Sequence, residues 1–352
     1  MNVAEAWAPR SPSGPARLGQ ARVLERFYFG KLPARGDFVR SHARQDVIRS
    51  VDDWMSRTME RLAPDARWKR VYDQAPAMDF AIVSLQRQSA LVGHWLASQD
   101  ASGRRFPFVV GGVLKADAPA MLAHLAPLVL QAEWQRLRQW GHLAHQAVGD
   151  DHHALDGLPG LVDDDVLNDV SHGLSMALAH ERWQAFVSQH TLASLSQMLA
   201  APTRSWSLRQ SVLALGHLLA PVLAQGPQRV NKVLSLPLPR DALRQPEVAT
   251  WWLHLVLGFL ARSDVEVSLF FGQEGGLPAL CLGFQGASAQ GLHAVIDPSE
   301  AEQARVSLLD AQWVEALVQE DWGLRKLSNY LLDPSLSLQQ ALDTYREVFL
   351  GV

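Results

Sequence analysis

The chain reads as an α/β protein built on a largely antiparallel sheet with a large helical insertion, and three observations lead there. Met78 to Leu85, Ala90 to Ala97 and Arg105 to Leu114 are strand-like apolar runs joined by short polar links, the pattern of an antiparallel meander. From Asp117 to about Leu223 the apolar spacing turns helical. Strand character then returns, and the order strand, helix, strand, strand of the first part recurs near the end.

The elements follow in order. Met1 to Gln20 hold three prolines, two glycines and no apolar run, so residues 1–22 read as a disordered tail without the hydrophobic region of a secretory signal. Arg26 to Lys31 is the first strand. Val47, Ile48, Val51, Met55, Met59 and Leu62 recur at helical spacing with Trp54 on their flank, while Asp52, Asp53, Arg57 and Glu60 fall on the wet side. After the meander, Asp117 is a candidate N-cap with Pro119 in the first turn, and Pro127 marks a kink or boundary. The Gly- and Asp-rich stretch Gly149 to Asp165 interrupts the helices and reads as a mobile loop.

Lys232 to Leu236 is again a strand, and Val248, Trp251, Trp252, Leu255 and Phe259 share one helical face. Val265, Val267, Leu269 and Phe271 alternate with Glu266, Ser268 and Phe270. Gly272 to Gly276 then turns the chain into Leu277 to Phe284, where Pro278 is tolerable only near a strand start or at an edge. Ser337 and Gln340 form a capping box before Leu338, Ala341, Leu342, Tyr345 and Phe349, a stripe that packs on the body or meets a partner. The division expected is a tail (1–22), an N-terminal sheet-and-helix lobe (23–150), a helical region (151–225) and a C-terminal sheet-and-helix lobe (226–352) packed on the first.

Composition excludes several classes. With 48% hydrophobic and 19% charged residues the chain is globular, and a net charge of −4 without a basic run argues against nucleic acid as a partner. The single cysteine, Cys281, has no intramolecular partner, which fits a reducing compartment. The longest apolar run, Trp251 to Ala261, is broken by His254 and falls short of the roughly 20 residues that cross a bilayer, so cytoplasmic residence without membrane insertion is expected.

The most informative stretch is Phe27 to Phe38, where strand-forming aromatics meet the loop Gly30-Lys31-Leu32-Pro33-Ala34-Arg35-Gly36-Asp37. It is no phosphate-binding loop, because Glu25 stands where the first glycine belongs and Leu32 where a Ser or Thr follows the lysine. A second loop, Ser98 to Arg104, also ends in charge, before Phe106-Pro107. Together these stretches resemble the TagF (ImpM) family of type VI secretion accessory proteins. That pattern runs Gly-Lys-Leu-Pro, a variable residue and Arg-Gly-Asp-Phe, then Asp, two variable residues, Gly-Arg, a variable residue and Phe-Pro.

Gly30 to Phe38 match with Ala34 free, and Asp100, Gly103, Arg104, Phe106 and Pro107 match the second motif. Ala75-Pro76 to Phe80 is similar to a third, except that Met78-Asp79 replaces the family's Trp-Arg. Phe270-Phe271 and Pro278-Ala279-Leu280 correspond loosely to a later region. The resemblance implies a sandwich fold, a mixed sheet with helices on both faces. It also implies a non-enzymatic cytoplasmic repressor that acts after translation by binding a forkhead-associated scaffold protein, with no cofactor and no metal. Lys31, Arg35, Asp37, Asp100 and Arg104 are the candidate partner-binding residues, on two charged corners expected side by side at the surface.

Two other readings stay open here. The same charges can lock the loops to each other, an internal role. Alternatively, the chain is a hydrolase or metal-dependent enzyme using the His-rich region 142–190, which holds His142, His145, His152, His153, His172, His180 and His190. Against that stand the lack of an HExxH pattern and of a Gly-x-Ser-x-Gly elbow, and the apolar setting of Cys281. The adjacent acids Asp52-Asp53 and Asp163 to Asp165 read as solvated groups rather than an acid–base pair. A concave pocket that gathers the charged loops and a histidine would favour the enzyme, and a flat patch the binding protein.

Overall fold

The computed structural model describes residues 19–42, 45–146, 175–201, 206–227, 230–299 and 304–352. The first half of the chain supplies β1 (Ala21–Gly30), β2 (Val39–Arg40), β3 (Met78–Ser84), β4 (Ser89–Leu96) and β5 (Phe108–Ala116). The second half supplies β6 (Val233–Pro237), β7 (Glu266–Glu274), β8 (Leu277–Gly283) and β9 (Arg305–Ser307). All nine lie in one sheet, in the order β2-β1-β5-β4-β3-β7-β8-β6-β9. The β6–β9 pairing is parallel and the others antiparallel, so the sheet is mixed and largely antiparallel.

The helices are α1 (Gln45–Leu62), α2 (Trp68–Gln74), α3 (Pro119–Val129), α4 (Gln131–Gln146), α5 (Met176–Gln189), α6 (Leu192–Leu199), α7 (Leu208–Gln225), α8 (Gln245–Val256), α9 (Ala289–Ile296), α10 (Val314–Glu320), α11 (Trp322–Leu331) and α12 (Leu338–Leu350). Side-chain alternation along the strands feeds two separate cores. In β3, Met78, Phe80 and Ile82 join Trp54 and Met55 of α1, Tyr72 of α2 and Leu292 of α9. Ala81 and Val83 join the larger core under α3, α4, α5, α7, α8 and α12. Helices therefore cover both faces, and β3 is buried from end to end, which is why it reads as a continuous apolar run rather than an alternating one.

The two sheet-bearing lobes meet along a hydrogen-bonded seam, β3 against β7 with Asp79 opposite Phe271 and Ser84 opposite Glu266. The C-terminal part thus extends the sheet of the N-terminal part. β1 starts at Ala21, within the segment read as tail, and β5 starts three residues later than expected because Arg105 only bridges to Gln99. The expected Asp117 cap is not formed. α3 starts after Ala118 with no side-chain cap, and the Asp117 amide instead donates to the Gln20 carbonyl.

Pro127 lies near the end of α3, and α4 starts at Gln131, so it marks a boundary. Pro278 is the second residue of the interior strand β8, where the missing amide costs least. The Ser337–Gln340 capping box is present, and Tyr345 of α12 is buried in the main core. α8 is buried on every side and passes into a 3₁₀ turn, Leu257–Leu260, that carries Phe259. The Gly149 to Asp165 loop lies outside the described residues.

Inside the helical layer, the rings of His124 (α3) and His254 (α8) stand 4.9 Å apart, and Trp183 of α5 stacks on His254 at 4.2 Å. Burial pushes His124 down to about 4 from 6.5. Burial, then the nearby His124, also holds His254 well below that value. Both groups are therefore neutral in the fold near pH 7 and take up protons on unfolding. Their contribution is present above the unfolded pKa of 6.5 and is lost as pH falls below it. His124 alone should lower stability by about 2 kcal/mol between pH 7 and pH 5. Urea unfolding at both pH values checks this, and a His124→Leu protein should show a shallower pH dependence.

Candidate functional site

The site begins at the end of β1. Gly30 pairs with Phe108 of β5 and has φ +136°, and a Cβ there would stand 2.0 Å from the Pro107 carbonyl oxygen. Only glycine admits this approach, which presses the start of the first loop backbone-to-backbone against the start of β5. Lys31 then turns inward, with its Nζ 2.8 Å from Asp100 Oδ2 and both side chains buried. The Lys31 carbonyl accepts from Ser98 Oγ at 2.7 Å, and the Tyr72 hydroxyl both donates to the Ser98 carbonyl and accepts from its amide.

Asp100 organises the second loop. Its Oδ1 accepts from the Ser102 amide and hydroxyl and the Arg104 amide, and its Oδ2 accepts from Arg104 Nε at 2.7 Å as well as from Lys31. Burial works to raise the pKa of this carboxyl, but the hydrogen bonds from Lys31, Ser102 and Arg104 outweigh it and hold the group well below the usual carboxylate range. Gly103 supplies the positive φ of +80° that the tight loop needs. Two bonds close the clasp between the loops: Ala101 N donates to the Arg35 carbonyl at 2.8 Å, and Arg104 Nη2 donates to the Gly36 carbonyl at 2.7 Å.

The two corners expected side by side are therefore joined, but their five candidate residues divide by burial. Lys31 and Asp100 lie in the interior, where each is the other's counter-ion, so their part in any binding is to shape the loops. Asp37 and Arg104 are exposed and Arg35 is half-buried. Asp37 Oδ1 accepts from the Phe38 amide at 2.8 Å. Phe38 was read only as a motif residue, yet it is 43% exposed and rests on two buried rings, Phe29 at 5.6 Å and Phe106 at 4.8 Å. Lys31 Nζ lies 4.9 Å from its ring centre. The signal for such a role was its place directly after a charged turn, where a core phenylalanine is unusual.

The third stretch leads elsewhere. Asp79 Oδ1 lies 2.8 Å from His94 Nδ1, and Asp79 Oδ2 lies 3.5 Å from Arg138 Nε. These groups line a cavity of about 340 Å³ together with Gln131, Trp134 and Phe271. An Asp–His pair suits general base chemistry, but among the described residues no serine, threonine or cysteine lines this cavity. The cavity contains none of the charged-loop residues. Neither does a cavity of about 550 Å³ beside Arg67 and Asp297.

Of the His-rich region, His142 and His145 lie on α4 and His180 on α5, with His190 just past its end, while His152, His153 and His172 lie outside the described residues. No group of three or more His, Cys, Asp or Glu side chains that could hold a metal occurs among the described residues. Cys281 is fully buried in β8, and burial pushes its thiol up, away from reactivity. No helix among the described residues is long and apolar enough to cross a membrane.

Residues 27–154 match the family model for the TagF N-terminal domain, type VI secretion system-associated. Among solved structures, the crystal structure of PA0076 from Pseudomonas aeruginosa PAO1 aligns at 23% identity with a TM-score of 0.33, over 39% of this chain and 62% of that one. No curated protein matches the chain. The matched segment contains Gly30 to Phe38, Asp100 to Pro107 and the strands that bring them together, so residues 27–154 are similar to the TagF N-terminal domain, which is type VI secretion system-associated.

Proposed function

We propose that this chain is a non-enzymatic cytoplasmic regulator that represses type VI secretion after translation by binding a forkhead-associated scaffold protein. The observation that carries the reading is the clasped pair of loops. Its charged groups are held by one another in fixed positions, as in a preformed contact surface, and are not gathered in a cavity around a reactive atom. The TagF-type domain supplies the type VI context, and the scaffold partner follows from the resemblance of the two motifs.

The test pairs a binding experiment with a secretion experiment. The purified chain should retain the purified scaffold on an affinity resin. Deleting the gene for the chain should raise secretion of a type VI substrate while scaffold transcript levels stay constant. Free elution of the scaffold, together with unchanged secretion in the deletion strain, would defeat the reading.

A further inference from the structure

We propose that Phe38 is the anchor of this contact surface, and that the partner presents an apolar pocket for one phenyl ring, rimmed by carboxylates. The inference rests on the reading of the clasped loops as a protein-binding surface and adds its chemistry. Phe38 keeps 43% of its surface in water although its neighbours Phe29 and Phe106 are buried. Here the ring is also preset. Phe29 and Phe106 back it on two sides, Asp37 fixes its backbone amide, and β2, which begins at the next residue, pins the chain to β1. A side chain already ordered in the free protein loses little rotamer freedom on docking, which is how a single aromatic comes to dominate an interface.

The surrounding charge sets the partner's sign. Arg40 and Arg104 are exposed and Arg35 is half-exposed, whereas Asp37 is the exposed acid among residues 31–40 and 97–106. Asp100 is already neutralised from within by Lys31. Arg105 is committed to Asp73 at 2.7 Å. The exposed ring thus belongs to two stretches in which cations outnumber acids, on a chain whose net charge is −4. An acidic rim with an apolar centre is its complement.

The experiment measures affinity of the purified scaffold for wild type, Phe38→Ala and Arg40→Glu at low and moderate salt, with thermal melts of each protein alongside. We expect Phe38→Ala to weaken binding at least about 30-fold with an unchanged melt. Arg40→Glu should weaken binding and flatten its salt dependence. Hydrogen exchange on the wild-type protein gives a second readout that needs no variant, because adding scaffold should protect residues 36–40 and 101–104. Full binding by Phe38→Ala, or protection confined to other segments, overturns the anchor while leaving the regulator reading intact. Failure of wild type to bind the scaffold at all overturns both, and is told apart by the flat wild-type titration.

Discussion

A Gly30→Ala protein is expected to lose about 2 to 6 kcal/mol of stability, the sum of two costs at one atom. The first is backbone strain, since φ of +136° is a region open to glycine and closed to residues with a Cβ. The second is steric, because the new methyl would meet the Pro107 carbonyl oxygen at 2.0 Å and the Phe108 Cα at 2.8 Å. Neither obstacle is the end of a flexible side chain, so relief requires β1 and β5 to part where the two motif loops meet. Gly36, six residues on in the same motif, is the control: nothing lies within 4 Å of its Cβ position and its φ is not positive, so Gly36→Ala should stay within about 0.5 kcal/mol of wild type. Urea unfolding followed by tryptophan fluorescence separates the two, and equal midpoints for both variants would show that the close approach at Gly30 is not needed.

Glu133→Ala is expected to cost about 3 to 5 kcal/mol, because it strands a buried guanidinium. Arg26 of β1 reaches Glu133 of α4 through two parallel bonds, Nε to Oε1 at 2.8 Å and Nη2 to Oε2 at 2.9 Å, with the Trp140 ring 5.3 Å from the guanidinium carbon. Both side chains of the pair are more than nine-tenths buried, so water cannot replace the lost partner. A double variant, Arg26→Met with Glu133→Leu, should recover most of the loss, because apolar groups of similar size leave no unpaired charge. Should Glu133→Ala melt with wild type, the pair contributes nothing and the attachment of α4 rests on its apolar contacts alone.

Much of the fold was legible in the sequence because it is written in local spacing. The α1 face of Ile48, Val51, Met55 and Leu62, the β3–β4–β5 meander, the Ser337–Gln340 cap and the position of Pro278 each depend on residues a few places apart. β2 and β9 escaped notice because two or three residues carry no measurable period. The motif loops could be recognised as special, yet their spacing gave no means of telling which charges face outward.

What the sequence determined by itself was therefore most of the elements, the class of the fold and a similarity of its first part to the TagF N-terminal domain. The tertiary structure decided the rest. It joined β3 to β7, paired Lys31 with Asp100 across 69 positions and Arg26 with Glu133 across 107, and left Phe38 outside on a buried aromatic bed. The physical reason is that periodicity reports how a segment meets its own neighbours, whereas the burial of a charge depends on which distant segment folds over it.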